Sequence, residues 1–200
     1  MKPVSVWEKL KDLDKFFQGR DAVHQAMRRV VRRLNRANIP YVVVGGMAVV
    51  FQGYRRTTND VDLLLTLEGF VEFQRRFVPK NYLPFAGRGR RFIDRVNEVT
   101  IDILVTGAFP GTGRPGPVAF PDPDDVGTEV ERIRVLDLPT LIQLKLAARR
   151  YQDFADVVQL IRAHQLEEAF ATRLHPSLRQ DYIECLEEKR REDAYQARQG

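Results

Sequence analysis

Asn59-Asp60-Val61-Asp62-Leu63-Leu64-Leu65 is the stretch on which the reading of the fold turns. Its apolar run predicts a β-strand from Val61 to Leu65, and side chains two apart on a strand share a face. Asp60 and Asp62 therefore project together while Val61 and Leu63 point the other way. Upstream, Tyr41-Val42-Val43-Val44 follows Pro40 and predicts a buried strand closed by Gly45-Gly46. Met47 to Gln52, bounded by Gly46 and Gly53, predicts a short helix packed on the sheet. Downstream, Phe70, Val71, Phe73 and Phe77 recur at helical spacing and predict a crossover helix over 68–77. Arg91-Phe92-Ile93 and Val99 to Val105 then predict an antiparallel pair turning around Asn97. In the second of these strands Asp102 lies opposite the face of Val99, Ile101, Ile103 and Val105.

Further out, Val23, Met27, Val30, Val31 and Leu34 predict an amphipathic helix over 21–38 whose other side is Arg28, Arg29, Arg32, Arg33 and Arg36. The window 107–127 holds five glycines and five prolines in 21 residues and predicts a long surface loop. One more short strand is expected over 132–135. From Pro139 the chain reads as helices over 139–150, 151–164 and 176 to about 197. The fold class is α+β: a mixed β-sheet with flanking helices, followed by a helical C-terminal part, unlike a doubly wound sheet or a barrel. A core with N-terminal helices over 1–136 and a helical subdomain over 137–200 are the expected divisions.

The 200 residues carry 32 Lys and Arg against 27 Asp and Glu, a formal charge of +5. Residues 1–100 have 19 basic and 10 acidic side chains, whereas 101–200 have 13 and 17, so the basic character belongs to one half. That half suits phosphate groups or a polyanionic partner. The longest apolar run, Tyr41 to Phe51, has 11 residues, too short to cross a bilayer. Met1 to Glu8 lacks the apolar core of a signal peptide, and the single cysteine, Cys185, has no partner for an internal disulfide. A cytoplasmic setting with no membrane partner is expected.

Three carboxylates on one face of one sheet repel and resist ionising together. A divalent cation resolves that conflict. Mg²⁺ or Mn²⁺ held by shared carboxylates serves in-line phosphoryl or nucleotidyl transfer by activating the attacking oxygen and neutralising the leaving group. The alternative is that Asp60 caps a turn, Asp62 faces solvent at an edge and Asp102 is unrelated. Gly45-Gly46, between a strand and a helix, is a place where backbone N–H groups meet a phosphate and where glycine permits close approach.

Val44-Gly45-Gly46-Met47-Ala48, Arg55-Arg56-Thr57-Thr58-Asn59-Asp60-Val61-Asp62-Leu63 and Thr100-Ile101-Asp102-Ile103 together resemble the DNA polymerase beta-like nucleotidyltransferase superfamily. The resemblance runs from about Tyr41 to Val105. It extends to a later helical motif, Leu144-Lys145 through Asp153 and Asp156, like that of the stand-alone prokaryotic branch that includes abortive-infection toxins of toxin–antitoxin systems. It implies a nucleotidyltransferase-like mixed sheet and transfer of a nucleotidyl group from a nucleoside triphosphate, such as ATP, to an acceptor hydroxyl. The acceptor would be an RNA or tRNA 3′ end, a protein, or a small antibiotic; a cognate antitoxin would be a partner. A binding protein that keeps the fold without catalysis is the competing class.

By that resemblance Asp60 and Asp62 bind both metals, and Asp102 binds the catalytic one and helps deprotonate the acceptor. Gly45 and Gly46 hold the triphosphate, and Lys145 reaches the phosphates. Asp153 contributes less directly, and otherwise makes a surface pair with a basic residue four positions earlier on a helix. Arg56 binds phosphate or makes a salt bridge that holds the motif loop. Many members place a serine after the first glycine, whereas this chain has Gly46 and then Met47, leaving backbone contacts to do that work. His24, His164 and His175 lack metal-ligand spacing. Cys185, among Glu184, Glu187 and Glu188, has an acidic setting that raises a thiol pKa. The arginines of 28–36 are a solvated face or, with Arg88, Arg90 and Arg91, an RNA track beside the cleft.

Overall fold

The computed structural model describes residues 15–199; the Met1–Glu8 stretch considered above for a leader lies outside them. The first long helix, α1 (Ala22–Ala37), begins where the Asp21 carboxylate accepts from the backbone N–H of Val23 at 2.7 Å. It ends where Asn38 takes a left-handed conformation at φ +53°. Caps of this kind satisfy N–H groups that the first turn leaves without partners. Val23, Met27, Val30, Val31 and Leu34 are buried, as their spacing predicts.

The sheet has seven strands: β1 (Val42–Val43), β2 (Asp60–Leu65), β3 (Tyr82–Phe85), β4 (Arg88–Asp94), β5 (Thr100–Val105), β6 (Thr128–Val130) and β7 (Ile133–Val135), in the order β3-β4-β5-β2-β1-β7-β6. β2 runs parallel to β5 and antiparallel to β1; β4 is antiparallel to β5, and β1 is parallel to β7. The mixed sheet with flanking helices and a helical C-terminal part is the architecture expected from the sequence. Two edge strands were not: β3 contains Pro84, and β6 is exposed throughout. Both lack the buried alternation that marks a strand in sequence, and proline is tolerated at an edge because no ladder bond is lost there.

Alternation along β2 and β5 divides the two faces. Val61, Leu63 and Leu65 with Ile101, Ile103 and Val105 are buried on one side. Helix α3 (Leu67–Phe77) packs there, begun by the Thr66 hydroxyl accepting from the Gly69 N–H at 2.9 Å. Its Phe73 ring stacks on Tyr82 and meets Phe92 edge-on, with centroids 5.2 and 5.3 Å away. Asp60, Asp62 and Asp102 occupy the opposite face, where the helix α2 (Gly45–Phe51) and the C-terminal helices gather.

The loop over 107–127 has no regular elements, as predicted, but it is not simply a surface loop. Val118 and Phe120 are buried, and the backbone of Phe120 exchanges hydrogen bonds with Gly107 and Ala108 at 2.9 and 2.8 Å. Arg134 holds the same loop by donating to the carbonyls of Pro123, Asp124 and Val126. Beyond it come α4 (Leu138–Ala148), α5 (Tyr151–Ala163) and α6 (Arg179–Ala197). Arg149, at φ +56°, breaks α4 from α5. Tyr182, Cys185 and Leu186 of α6 are buried with Val157, Leu160 and Ile161 of α5. No helix among the described residues is long and apolar enough to cross a membrane.

Candidate functional site

Parallel pairing sets Asp62 directly beside Asp102, and Asp60 lies one pleat earlier on the same face of β2. Asp60, Asp62 and Asp102 each offer an oxygen within 4.8 Å of the other two, and all three are half-buried. Among the described residues this is the one cluster of acidic or metal-ligating groups with that spacing. The alternative reading, with Asp102 unrelated to the pair, does not describe this arrangement.

The carboxylates differ in their partners. Asp60 accepts from the buried hydroxyl of Thr58 at 2.7 Å. Asp62 receives no hydrogen bond from the described side chains, and its carboxyl is pushed up to about 7 by burial first, then by the charges of Asp60 and Asp102. Lys145 and Arg150 pull it partly back. Asp102 is gripped by Arg91, its direct cross-strand neighbour on β4. The Arg91 Nε donates to Oδ1 at 2.6 Å and Nη2 donates to Oδ2, so one guanidinium engages both oxygens.

Gly45 and Gly46 begin α2 rather than merely closing β1. Gly45 sits at φ +60°, and a Cβ there would lie 1.8 Å from Oδ2 of Asp62. A Cβ on Gly46 would come within 2.7 Å of the Thr58 hydroxyl and 2.9 Å of the Arg56 guanidinium. The protein's own motif side chains already demand glycine at both positions.

Lys145 is buried on α4, and its ammonium lies 2.9 Å from Asp153 and 2.7 Å from Asp156. Arg150 reaches Asp153 at 2.6 Å, and Arg56 Nε reaches Asp156 at 3.0 Å. The surface pair considered for Asp153 is therefore not formed. Asp153 is buried on α5, and the Arg149 four positions earlier lies beyond the helix break and bonds Asp181 instead. Arg56 makes a salt bridge, as one of its two readings expected. Its partner is Asp156 on α5, so it ties the loop before β2 to the C-terminal helices.

A cleft of about 940 Å³ opens over this face, lined by Gly45, Asp60, Asp62, Asp102, Arg91, Lys145, Arg150 and Asp153. One wall is the turn and strand over 87–91; another is the loop over 108–113. The arginines of α1 take no part in it. Arg29 bonds Asp94 at 2.6 Å and Arg33 bonds the Tyr82 hydroxyl at 2.9 Å, on the far face of the sheet. The RNA track considered for them beside Arg88, Arg90 and Arg91 is not formed. Cys185 is buried, and its thiol is pushed up to about 12, by burial first and then by Asp181, Glu184 and Glu188.

Arg91, Arg150, Asp156 and Thr58 were given no role at the carboxylates. Thr58 and Asp156 stand inside the quoted motifs, and a hairpin turning near Asn97 sets Arg91 opposite Asp102. Thr58 and Arg150 act locally, on Asp60 and Asp153 two and three residues on, whereas Asp156 meets Arg56 and Lys145 only because α5 folds back on α4 and on the loop before β2.

The donor set fits a hard divalent cation: carboxylate oxygens only, mutually close, with one of them resisting ionisation. Asp60, Asp62 and Asp102 would hold it.

No protein-family model matches the chain, and no curated protein sequence matches it. Among solved structures it is similar to ANT(2″)-Ia in complex with adenylyl-2″-tobramycin, at 11% identity and TM-score 0.48, over 79% of this chain and 95% of that one. JHP933 from Helicobacter pylori is 15% identical with TM-score 0.45, over 88% of this chain and 96% of that one. A provisionally assigned nucleotidyltransferase from H. pylori is 17% identical with TM-score 0.45, over 80% and 79%. At such identities and scores the likeness is one of fold in outline, and the functional reading stands on this chain's own residues.

Proposed function

We propose that the chain is a metal-dependent nucleotidyltransferase that moves a nucleotidyl group from a nucleoside triphosphate to an acceptor hydroxyl and releases pyrophosphate. The observation that carries this reading is the placement of Asp60, Asp62 and Asp102 within 4.8 Å of one another on the floor of a 940 Å³ cleft. A divalent cation bound there supplies charge neutralisation at the pyrophosphate and acidifies the attacking hydroxyl. Asp60 and Asp62 hold the cation, and Asp102 shares it and accepts the acceptor's proton. Gly45 and Gly46 would meet the triphosphate through their backbone N–H groups at the start of α2, and Lys145 and Arg150 set positive charge in the cleft.

The acceptor we favour is an RNA 3′ end. Arg88 and Arg90 are exposed on the cleft wall and have no ion-pair partner among the described residues, which suits a second polyanion in the same cleft. The purified chain, incubated with α-labelled nucleotides, Mg²⁺ or Mn²⁺, total RNA and cell lysate, is expected to yield label that ribonuclease removes and protease does not. Label removed by protease would reassign the acceptor to a protein. Absence of label with either, equal to an Asp60→Ala control, would favour a nucleotide-binding protein without catalysis. A toxin role with a cognate antitoxin predicts growth arrest on expression, relieved by Asp62→Ala; unimpaired growth would count against it.

A further inference from the structure

The three carboxylates are not equally available to a cation. Asp60 is held by a neutral hydroxyl that occupies one oxygen, and Asp62 takes no hydrogen bond from the described side chains, whereas both oxygens of Asp102 are engaged by Arg91. A cation shared among ligand atoms 4.8 Å or less apart would stand next to that guanidinium, which is permanently charged. Arg91 also faces the cleft. Its side chain is 35% exposed, and the ring of Phe85 lies 6.0 Å from the guanidinium carbon.

We propose that Arg91 is a positioning residue that closes Asp102 to cations until a nucleoside triphosphate enters the cleft and draws the guanidinium away. The inference rests on the metal-dependent nucleotidyltransferase reading and adds an order of events to it. The fork of N–H donors that fits a carboxylate fits phosphate oxygens equally well. A triphosphate brings several negative charges into the same space, so the arginine exchanges one bidentate anion for another while Asp102 turns to the cation. Cation binding in the empty cleft is then weakened by Arg91, and completion of the site waits for substrate. Such an order prevents a fully loaded metal site from forming around water alone.

The test is Mn²⁺ binding, followed by the free-ion electron paramagnetic resonance signal, in metal-stripped wild type and Arg91→Gln. Each is measured alone and with an equimolar mixture of the four α,β-methylene nucleoside triphosphates, against a protein-free blank that accounts for the Mn²⁺ the analogues chelate themselves. Without nucleotide the variant is expected to bind Mn²⁺ roughly tenfold more tightly, the worth of one charge-assisted bidentate pair. With the analogues the difference is expected to shrink to within about threefold, because the wild-type arginine has then left Asp102. Equal affinities in the absence of nucleotide would overturn the proposal. So would a difference that persists unchanged with the analogues, which marks a simple loss of positive charge. Absence of Mn²⁺ binding to either protein even with the analogues would overturn the metal-site reading itself, and this inference with it.

Discussion

Replacing Asp62 by asparagine separates the electrostatic cost of the site from its chemistry. In the metal-free protein the Asp62 carboxyl titrates at about 7 instead of 3.8, because it is buried and faces Asp60 and Asp102. Between those two values the folded chain keeps a proton that the unfolded chain has released. Stability therefore falls as pH rises through the window and stays low above it. The displacement from 3.8 to about 7 is worth at most about 4 kcal/mol at about 1.4 kcal/mol per pH unit. Asp62 keeps contact with the open cleft, and screening by solvent reduces the figure to about 2 kcal/mol. For a chain of this size that is about 4–8 °C in Tm. In EDTA at about pH 8, Asp62→Asn is expected to melt above wild type by that margin, and at about pH 4 the two should melt close together. Saturating Mg²⁺ should raise the wild type more than the variant and close the gap. Thermal melts followed by circular dichroism read all of this. A gap of the same size at both pH values, or a variant less stable than wild type at the higher one, would mean that Asp62 does not carry this electrostatic cost.

Gly45→Ala forces a Cβ to within 1.8 Å of Asp62 Oδ2 at φ +60°, and is expected to cost about 3 kcal/mol or more in urea unfolding; a loss below about 1 kcal/mol would contradict the geometry. Lys145→Met leaves Asp153 and Asp156 buried with one cation fewer, and is expected to destabilise by about 3–5 kcal/mol by the same assay. A neutral effect would mean that water reaches those carboxylates. The Cys185 thiol, buried and pushed up to about 12, is expected to resist a disulfide reagent at about pH 8 until urea unfolds the chain; rapid reaction in the native protein would show that α6 opens.

What was legible in the sequence follows from where each structural decision is made. Asp60 and Asp62 on one face of β2, and Asp102 on the matching face of β5, follow from two-residue alternation, a local property that survives into the sheet unchanged. The helix α1 is equally local. β3 and β6 were missed because edge strands need not bury either face, so Pro84 and the exposed run over 128–130 give no pattern to read. The partners of Lys145 were hidden for another reason. Asp153 and Asp156 meet it only because Arg149 turns left-handed and folds α5 back across α4, a three-dimensional event with no periodic signature. The basic half of the chain misled in one respect. Its most arginine-dense helix, α1, binds Asp94 and Tyr82 on the far face, whereas the cleft is supplied by the sparser Arg88, Arg90 and Arg91 and by Lys145 and Arg150 from the more acidic half.

Nucleotidyl transfer moves the α-phosphorus and requires Asp60, Asp62 and Asp102. The direct measurement is a paired reaction of the purified chain with Mg²⁺ and total RNA, using nucleoside triphosphates labelled at the α-phosphorus in one arm and at the γ-phosphorus in the other. Label in RNA from the α arm alone, labelled pyrophosphate from the γ arm, and loss of both to background in Asp60→Ala, Asp62→Ala and Asp102→Ala are expected. Label incorporated from the γ arm, or α-label transfer that persists in any of the three variants, would contradict this assignment.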